Sequence, residues 1–413
     1  MLITQPHLSP PVYPNGLPAL ESELLTVLDQ NHAYLTALIN DQGGFLPYDQ
    51  WMQAALYAPN VGYYSGGSTK FHTEGDFTTA PELSPLFGQT LAAQVQQVLQ
   101  QCSSAAAPAV LEFGAGSGAL AESLLVSLEL LGTHDLTYYI LELSPSLRAR
   151  QQQRLAPFGA KVQWLDQLPT DFVGCVLANE VLDAMPVHMV QRTIDNEIIE
   201  LGVALNTDAD SLSTSPSPFI LSTRVARGEL LATASKRLPE IPHYRSEINL
   251  QAEAWIHEMG QWLKQGAALL IDYGFPRREY YHVQRATGTL MCHFRHFAHD
   301  ESLILAGLQD ITAHVDFTAI ADAALEADLE VMGYISQAHF LMNCGITQHL
   351  EQLQAQLDMN NPIHLQSWTQ QVSAVQKLLS EAEMGELFKV IALGKDLSPP
   401  LMGFTMRDRR GSL

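Results

Sequence analysis

The sequence predicts an α/β fold in which helices cover a mostly parallel β-sheet, and three observations lead to it. Short apolar runs alternate with helix-forming segments between residues 109 and 180, a pattern typical of parallel sheets covered on both faces. A glycine-rich turn, GAGSG (114–118), follows the first apolar run. A polar linker, residues 206–218, interrupts the alternation after the fourth strand and indicates a small inserted subdomain.

The alternating elements follow one another closely. The strand AVLEFG (109–114) leads into the helix GALAESLLVSLELLG (118–132). The strand LTYYILEL (136–143) precedes a helix that begins at Pro145, where proline is favoured. Two further strands are predicted at VQWLDQ (162–167) and VGCVLANE (173–180).

The later elements depart from this rhythm. Two segments, EIIELGVAL (197–205) and FILSTRVA (219–226), predict a hairpin or an edge pair of strands around the polar linker. A helix is expected over 249–266, ending at Gly266. AALLIDYG (267–274) and FKVIALG (388–394) are apolar enough to be buried strands.

The N-terminal part has a different character. Residues 1–20 are rich in proline, residues 21–57 have helical periodicity, and residues 60–85 form a turn-rich loop before a helix at about 86–100. We therefore expect an N-terminal region of arm, helices and covering loop at 1–85. The α/β domain would span 86–413, with its inserted subdomain at about 187–247.

Composition restricts the partners. The formal net charge of the 413 residues is −22, so the surface would repel the phosphates of nucleic acids. It suits a cationic protein segment, although plain solubility explains the charge equally well.

Four dispersed cysteines without a CxxC pair are typical of reduced thiols. Without a signal peptide, a transit peptide or an apolar run of about 20 residues, the expected location is the bacterial cytoplasm.

The glycine run is the clearest ligand signal. Gly114, Gly116 and Gly118 let the backbone approach a ligand at the carboxyl edge of the sheet. Two ligand classes fit: a dinucleotide, through GxGxx(G/A), and S-adenosylmethionine, through ExGxGxG. Glu112 favours the second class, because a carboxylate repels pyrophosphate but tolerates a sulfonium and an ammonium group.

Two more acids follow later strands. Glu142 ends the second strand and can accept both hydroxyls of a ribose, which either ligand class carries. Asp166 follows the third strand and is a candidate for binding the edge of the adenine. The alternative for Asp166 is an acid in a surface loop.

A second polar group ends the fourth strand. Asn179, Glu180 and Asp183 occur together in LANEVLDAMPVH (177–188). Because an arginine side chain is nearly always protonated, a carboxylate can hold it through a bidentate pair and leave another nitrogen more nucleophilic. Glu180 is the first candidate for this role and Asp183 the second. Capping of the next helix is the alternative for both acids.

The segment MCHFRHFAHD (291–300) brings Cys292, His293, His296 and His299 close in sequence. Zinc binding is disfavoured, because the segment is loop-like and no second ligand cluster occurs. No metal site is therefore expected. His296 is a candidate for accepting a proton after methyl transfer, with a purely structural role as the alternative.

Together these motifs resemble those of the MidA-type S-adenosylmethionine-dependent methyltransferases. The resemblance runs from about residue 45 to 395 and rests on LYAPNVGYY (56–64), GDFTTAPELSPLFG (75–88), LEFGAGSGAL (111–120), YYILELSPSLRARQQQRL (138–155), LANEVLDAMPVH (177–188), LLIDYGF (269–275), DITAHVDF (310–317) and GELFKVIALGK (385–395).

The resemblance implies a class I methyltransferase (Rossmann-like) domain with a seven-stranded sheet, S-adenosylmethionine as cofactor, and an arginine of a partner protein as methyl acceptor, as in the family's mitochondrial complex I assembly member. For the cofactor it implies a binding loop at Glu112, Gly114, Gly116 and Gly118, with Glu142 as the acid that binds the ribose. It implies that the cofactor is covered by a segment with Gly75, Asp76, Phe77, Thr79, Pro81 and Glu82. On the side of the methyl acceptor it implies a motif formed by Asn179, Glu180 and Asp183. Ala80 stands where the family usually has serine, which puts one hydroxyl contact in doubt.

Three alternatives remain open from the sequence. A small-molecule methyltransferase would need a closed pocket rather than a groove. A non-catalytic assembly factor could keep the same fold and bind a partner. A nicotinamide-dependent oxidoreductase is disfavoured by Glu112 and by the acidic end of the fourth strand. The acceptor, the number of methyl groups and the oligomeric state are not predicted.

Overall fold

The computed structural model of the chain describes residues 11–66, 79–102, 108–208 and 215–413. The helices, numbered along the chain, are α1 (Ser22–Asp41), α2 (Tyr48–Tyr57), α3 (Ala80–Leu83), α4 (Pro85–Gln101), α5 (Ala119–Leu130), α6 (Pro145–Arg154), α7 (Gly228–Arg237), α8 (Leu250–Trp262), α9 (Arg277–Tyr280), α10 (Phe317–Glu326), α11 (Gln337–Asn343), α12 (Ile346–Gln356) and α13 (Pro362–Leu379).

The strands are β1 (Leu46–Pro47), β2 (Ala109–Phe113), β3 (Thr137–Leu141), β4 (Val162–Leu165), β5 (Phe172–Asn179), β6 (His188–Arg192), β7 (Ile198–Leu205), β8 (Phe219–Val225), β9 (Arg245–Ile248), β10 (Leu263–Phe275), β11 (Met291–Phe294), β12 (Phe297–His299), β13 (Asp310–Thr312), β14 (Val315–Asp316), β15 (Glu330–Ser336) and β16 (Phe388–Lys395).

The chain divides into two compact units. The first contains the described parts of 1–77, 183–252 and 277–314, and the second contains those of 78–182, 253–276 and 315–413. The N-terminal helices thus share a unit with the inserted segment and with a third segment, an association that the sequence did not predict.

The second unit is built on a seven-stranded sheet in the order β15-β16-β10-β5-β2-β3-β4, with short β14 pairing beside β10. Five successive strands of this sheet run parallel to one another: β10, β5, β2, β3 and β4. β16 runs antiparallel to both β10 and β15. The predicted α/β fold with a seven-stranded sheet is confirmed.

Apolar residues of the predicted strands and helices form the core of the second unit. α4 packs against α5 and against strands β5 and β10, with Leu91 and Val95 fully buried. α10 packs against β10, β15 and β16. Pro145 occupies the first turn of α6, where its missing N–H costs nothing, as predicted.

The first unit contains two smaller antiparallel sheets. In the larger, β1, β7, β6 and β9 are successive neighbours and β8 pairs with β7. The antiparallel pairing of β7 with β8 confirms that the two segments around the polar linker pair with each other, as predicted. α1 and α2 contribute Ile39 and Trp51 to a core that also contains Leu201 and Phe219. The smaller sheet has the order β12-β11-β13.

The helices predicted within 21–57 are present as α1 and α2, and between them Gly43 and Gly44, with φ angles of 75° and 92°, lead into β1. Two other local predictions were wrong. The segment 291–300 is a strand hairpin rather than a loop, with Arg295 and His296 at its turn.

The second error concerns Gly266, which was expected to end a helix. α8 ends at Trp262 and β10 begins at once, so Gly266 lies inside a strand. A Cβ atom there would lie 1.8 Å from the carbonyl oxygen of Gly174. The glycine therefore permits close approach of neighbouring backbones, as glycines inside strands often do.

None of the described helices combines the length and the apolar character that crossing a membrane requires.

Gly174 provides a test of this close packing. Its φ is 144°, and an added Cβ would lie 1.8 Å from the carbonyl oxygen of Ala109 on β2, which cannot move freely. We expect Gly174→Ala to lower the free energy of unfolding by about 3 kcal/mol. Gly132→Ala, at φ 86° with no atom within 4 Å of its added Cβ, should cost about 1 kcal/mol. Urea denaturation measures both, and equal losses would contradict the steric explanation.

Candidate active site

The candidate site of the second unit lies where the direction of strand addition reverses. β2 is the middle one of the five parallel strands, with β3 and β4 added on one side and β5 and β10 on the other. The carboxyl ends of β2 and β5 therefore flank a topological switch point, where open α/β sheets bind their ligands. The glycine run follows β2, and the LANEVLDAMPVH motif begins within β5.

The glycine run turns sharply between β2 and α5. The φ angles of Gly114, Gly116 and Gly118 are 60°, 53° and 84°, in the region that favours glycine. No atom lies within 4 Å of the position that a Cβ of Gly116 would occupy. Gly118 is the N-cap residue of α5. The loop thus leaves open space beside its backbone, next to the start of a helix.

Glu112 is buried in β2 immediately before this loop, with 3% of its surface exposed. The hydroxyl of Tyr138 on β3 donates a hydrogen bond to Oε2 of Glu112 at 2.7 Å. Burial raises the pKa of Glu112 to about 7, and the Tyr138 hydrogen bond only partly opposes this effect. The carboxyl group is therefore poised to respond to a cation bound near it.

Glu142 and the glycine loop are joined by one amide. The side-chain amide nitrogen of Gln151, on α6, donates to Oε2 of Glu142 at 2.8 Å and to the carbonyl oxygen of Gly116 at 2.9 Å. The backbone N–H of Ser144 donates to the other carboxylate oxygen at 2.8 Å. Each carboxylate oxygen can accept a second hydrogen bond, so Glu142 retains acceptor capacity for ribose hydroxyls.

Gln151 was not predicted from the sequence. It is fully buried, and its amide oxygen accepts a hydrogen bond from the indole N–H of Trp164 at 3.0 Å. The run of three glutamines at 151–153 contains no signal that distinguishes the first from the others.

Asp166 lies on the surface after β4. Its side chain is 80% exposed and forms an ion pair with Arg148. An adenine-binding role for Asp166 stays a prediction, and the exposed ion pair accords with the alternative of a surface acid.

Part of the predicted covering segment can be located. Gly75, Asp76 and Phe77 lie outside the described residues. Thr79 precedes α3, which contains the other two predicted residues, Pro81 and Glu82.

Glu82 connects this segment to the glycine run. The hydroxyl of Ser117, within the run, donates to Oε1 of Glu82. Arg154 contacts both residues, with Nη1 at 2.7 Å from the Ser117 hydroxyl and at 3.7 Å from Oε1 of Glu82. α3 therefore lies directly against the turn that follows β2.

Asn179 and Glu180 stand together at the end of β5. The amide nitrogen of Asn179 donates to Oε1 of Glu180 at 3.0 Å. Glu180 has a φ of 54°, which is unusual for a residue with a side chain and costs about 1 kcal/mol. Oδ1 of Asn179 is buried without a hydrogen-bond partner among the described residues. Strain and an unsatisfied acceptor at one point suggest a ligand site.

Asp272, on β10, fixes the turn after Glu180. Its Oδ2 accepts hydrogen bonds from the backbone N–H groups of Val181 and Leu182 at 3.2 and 3.0 Å, and it is 1% exposed. Asp272 was not predicted as a functional residue, although an acid at the end of the apolar strand in LLIDYGF was the available signal.

Asp183 and His296 belong to the first unit. Asp183 is buried, its Oδ1 accepts from the N–H of Ala184 at 2.9 Å, and its carbonyl oxygen accepts from Ala313 at 2.9 Å. Its carboxylate thus supports the turn after β5. His296 is exposed at the β11–β12 turn, and within the described chain 291–300 contains no group of three metal-ligating side chains.

The raised pKa of Glu112 predicts a pH dependence of stability. The folded state keeps its proton up to about pH 7, whereas an unfolded chain releases it near the ordinary value of 4.5. Because the folded state binds more protons in this range, stability falls as the pH rises from about 4.5 to about 7 and is constant above it.

Glu112→Gln should remove this contribution, so the melting temperature of the wild type should decline relative to that of the variant across this pH range. Thermal unfolding between pH 4.5 and 8 measures the difference, with exposed Asp135→Asn as a control that follows the wild type. A constant difference between wild type and Glu112→Gln would show that burial does not shift this group.

Comparison with known proteins identifies the family. A family model described as "Putative S-adenosyl-L-methionine-dependent methyltransferase" matches residues 90–335. The crystal structure of a Burkholderia thailandensis protein, described as a "likely methyl transferase" and bound to S-adenosyl-homocysteine, is 44% identical. It covers 96% of this chain and 100% of its own, with a TM-score of 0.86. The native structure of a B. thailandensis protein of the same superfamily is 43% identical, with a TM-score of 0.85.

More distant relatives have specific names. The Drosophila melanogaster "Protein arginine methyltransferase NDUFAF7 homolog, mitochondrial" is 27% identical over 377 residues, which are 85% of this chain and 82% of the relative. Human "Protein arginine methyltransferase NDUFAF7, mitochondrial" is 27% identical over 375 residues, covering 83% and 79%. The predicted family resemblance is confirmed: the chain belongs to the family of S-adenosylmethionine-dependent methyltransferases described by the matching model, and S-adenosylmethionine is its cofactor.

Proposed function

We propose that this methyltransferase transfers methyl groups to a guanidinium nitrogen of an arginine in a partner protein, in the bacterial cytoplasm. The observation that carries the proposal is the turn after β5. Glu180 comes directly after the end of β5, at the topological switch point. Its carboxylate accepts a hydrogen bond from the amide of Asn179, and its backbone has a strained, positive φ angle. A ligand cation is the natural partner for such a carboxylate.

The cofactor supplies an electrophilic methyl group on its sulfonium. The residues around the glycine run suit this cation: Glu142 and Glu112 are acids, Glu112 can ionise when a cation binds beside it, and the open space at Gly116 admits a ligand against the backbone. Ribose hydroxyls fit the remaining acceptor capacity of Glu142.

Glu180 would position the acceptor. A bidentate pair between its carboxylate and two guanidinium N–H groups orients the planar group and concentrates its charge away from the third nitrogen. The unpartnered Oδ1 of Asn179 can accept a further N–H. The methylated nitrogen must lose one proton, and exposed His296 stays a candidate for taking it.

The charge of the whole chain favours a basic partner. The formal net charge of −22 attracts arginine-bearing segments and speeds their encounter. The arginine-specific names of relatives at 27% identity point the same way.

A labelling experiment tests the acceptor class. The full-length protein is incubated with S-adenosylmethionine labelled in its methyl group and with a bacterial extract separated into a protein fraction and a filtrate below 3 kDa. Label in the protein fraction, recovered as methylarginine after acid hydrolysis, is the expected result.

The other outcomes correspond to the alternative functions. Label confined to the filtrate would identify a small-molecule methyltransferase. Binding of S-adenosylmethionine in calorimetry without transfer in either fraction would identify a non-catalytic assembly factor. Binding of NADH in place of S-adenosylmethionine would contradict the cofactor assignment itself.

Glu180→Gln separates catalysis from cofactor binding. The amide keeps the size of the side chain and its contact with Asn179 but loses the charge that pairs with guanidinium. We expect a fall in methyl transfer of about 100-fold or more, with the dissociation constant for S-adenosylmethionine nearly unchanged. The exposed acid Asp171, changed to Asn, serves as the control and should keep full activity. Equal turnover of Glu180→Gln and wild type would remove Glu180 from the mechanism.

Gly116→Val tests the cofactor loop. The valine side chain would fill the space beside Gly116 that no protein atom occupies, so calorimetry should show S-adenosylmethionine binding weakened by about 100-fold or more, roughly 2.7 kcal/mol. Gly159→Val is the control for backbone strain, with a similar φ of 57° and equally open surroundings at an exposed position between α6 and β4. Similar effects of both variants would indicate backbone strain rather than occupation of the ligand space.

A further inference from the structure

Three side chains of the first unit form a group with the composition of a metal site. Asp49 lies in the first turn of α2, His188 begins β6, and Glu200 lies on β7. One ligand atom from each lies within 4.8 Å of the other two. None of the three was predicted to take part in the methyltransferase site.

Strand register explains why these residues meet. Val190 on β6 pairs with Glu200 on β7, so His188, two residues before Val190, lies on the same face of the sheet as Glu200. β1 pairs with the same strand β7 and continues directly into α2, which brings Asp49 to this face.

The distances suit coordination better than hydrogen bonding. Nδ1 of His188 lies 3.4 Å from Oδ1 of Asp49 and 3.6 Å from Oε1 of Glu200, whereas N–H···O hydrogen bonds are usually about 2.9 Å. Two ligands at about 2.1 Å from a tetrahedral zinc ion lie about 3.4 Å apart. Nδ1 of His188 and Oδ1 of Asp49 are buried without a hydrogen-bond partner among the described residues.

Arg224 orients the third ligand. It lies directly opposite Glu200 on β8, and its Nε donates to Oε2 of Glu200 at 2.6 Å, while Oε1 faces His188. Its guanidinium also lies 4.7 Å from the ring centre of Phe45. The hydrogen bond from Arg224 fixes the orientation of the Glu200 carboxylate, as hydrogen bonds to metal ligands commonly do.

We propose that Asp49, His188 and Glu200 bind a divalent first-row transition-metal cation, with Zn²⁺ the best chemical match. An imidazole nitrogen with two carboxylates is a ligand set that zinc accepts, whereas Ca²⁺ and Mg²⁺ prefer oxygen alone. The side chains of Asp49 and His188 are 26% and 21% exposed, so a cation can enter from solvent. The bound ion would fasten the start of α2 to β6 and β7.

Titration of the full-length, untagged and metal-stripped protein with Zn²⁺ tests this site. We expect isothermal calorimetry to show one saturable site per chain at Asp49, His188 and Glu200, and Zn²⁺ to raise the melting temperature. Asp49→Asn and His188→Gln should each weaken this site by at least about tenfold and abolish the rise in melting temperature. Glu197→Gln, an exposed acid just before β7, is the matched control and should bind as the wild type does.

Co²⁺ provides a second readout that does not depend on stability. Its visible absorption should show a nitrogen- and oxygen-ligated tetrahedral ion in the wild type and in Glu197→Gln, and lose that spectrum in His188→Gln. Absence of saturable Zn²⁺ binding in the wild type, or binding that Asp49→Asn and His188→Gln leave unchanged, would overturn the proposal.

Discussion

Two hydrogen bonds from the amides of Val181 and Leu182 to the buried carboxylate of Asp272 determine the path of the chain after β5. β5 and β10 are parallel neighbours in register, so Asp272 lies just beyond the last paired residues. The other carboxylate oxygen accepts from the N–H of Tyr273. A buried carboxylate is stable here because backbone donors replace its lost hydration. Because these hydrogen bonds hold the turn, Glu180 keeps its left-handed backbone conformation. The chain leaves the second unit after Leu182.

The sequence was sufficient for the features that depend on neighbouring residues. Strand alternation, the glycine run and the hairpin around 206–218 are local patterns, and the structure contains each of them. Gly266 shows where local reasoning fails, since its close contact is with Gly174 on another strand. A glycine that ends a helix and one that admits a neighbouring backbone look the same in the sequence.

The site could be predicted only in outline for the same physical reason. Glu112, Glu142 and Glu180 stand next to predicted strand ends, and all parallel strands end at one edge of the sheet. Gln151 acts from the middle of a polar helix, and the group that includes His188 is assembled by β-sheet register from residues far apart in the chain. No spacing rule within one segment contains that information.

The amide of Gln151 also restricts which residue can stand at its position. Its nitrogen donates to two acceptors, Oε2 of Glu142 and the carbonyl of Gly116, while its oxygen accepts from Trp164. A glutamate at position 151 would place a carboxylate oxygen against the acceptor oxygens of Glu142 and Gly116. A lysine there would leave the indole N–H of Trp164 without an acceptor. One neutral side chain thus joins Glu142 to the glycine loop and to an indole ring, so the fluorescence of Trp164 should respond to any displacement of Gln151.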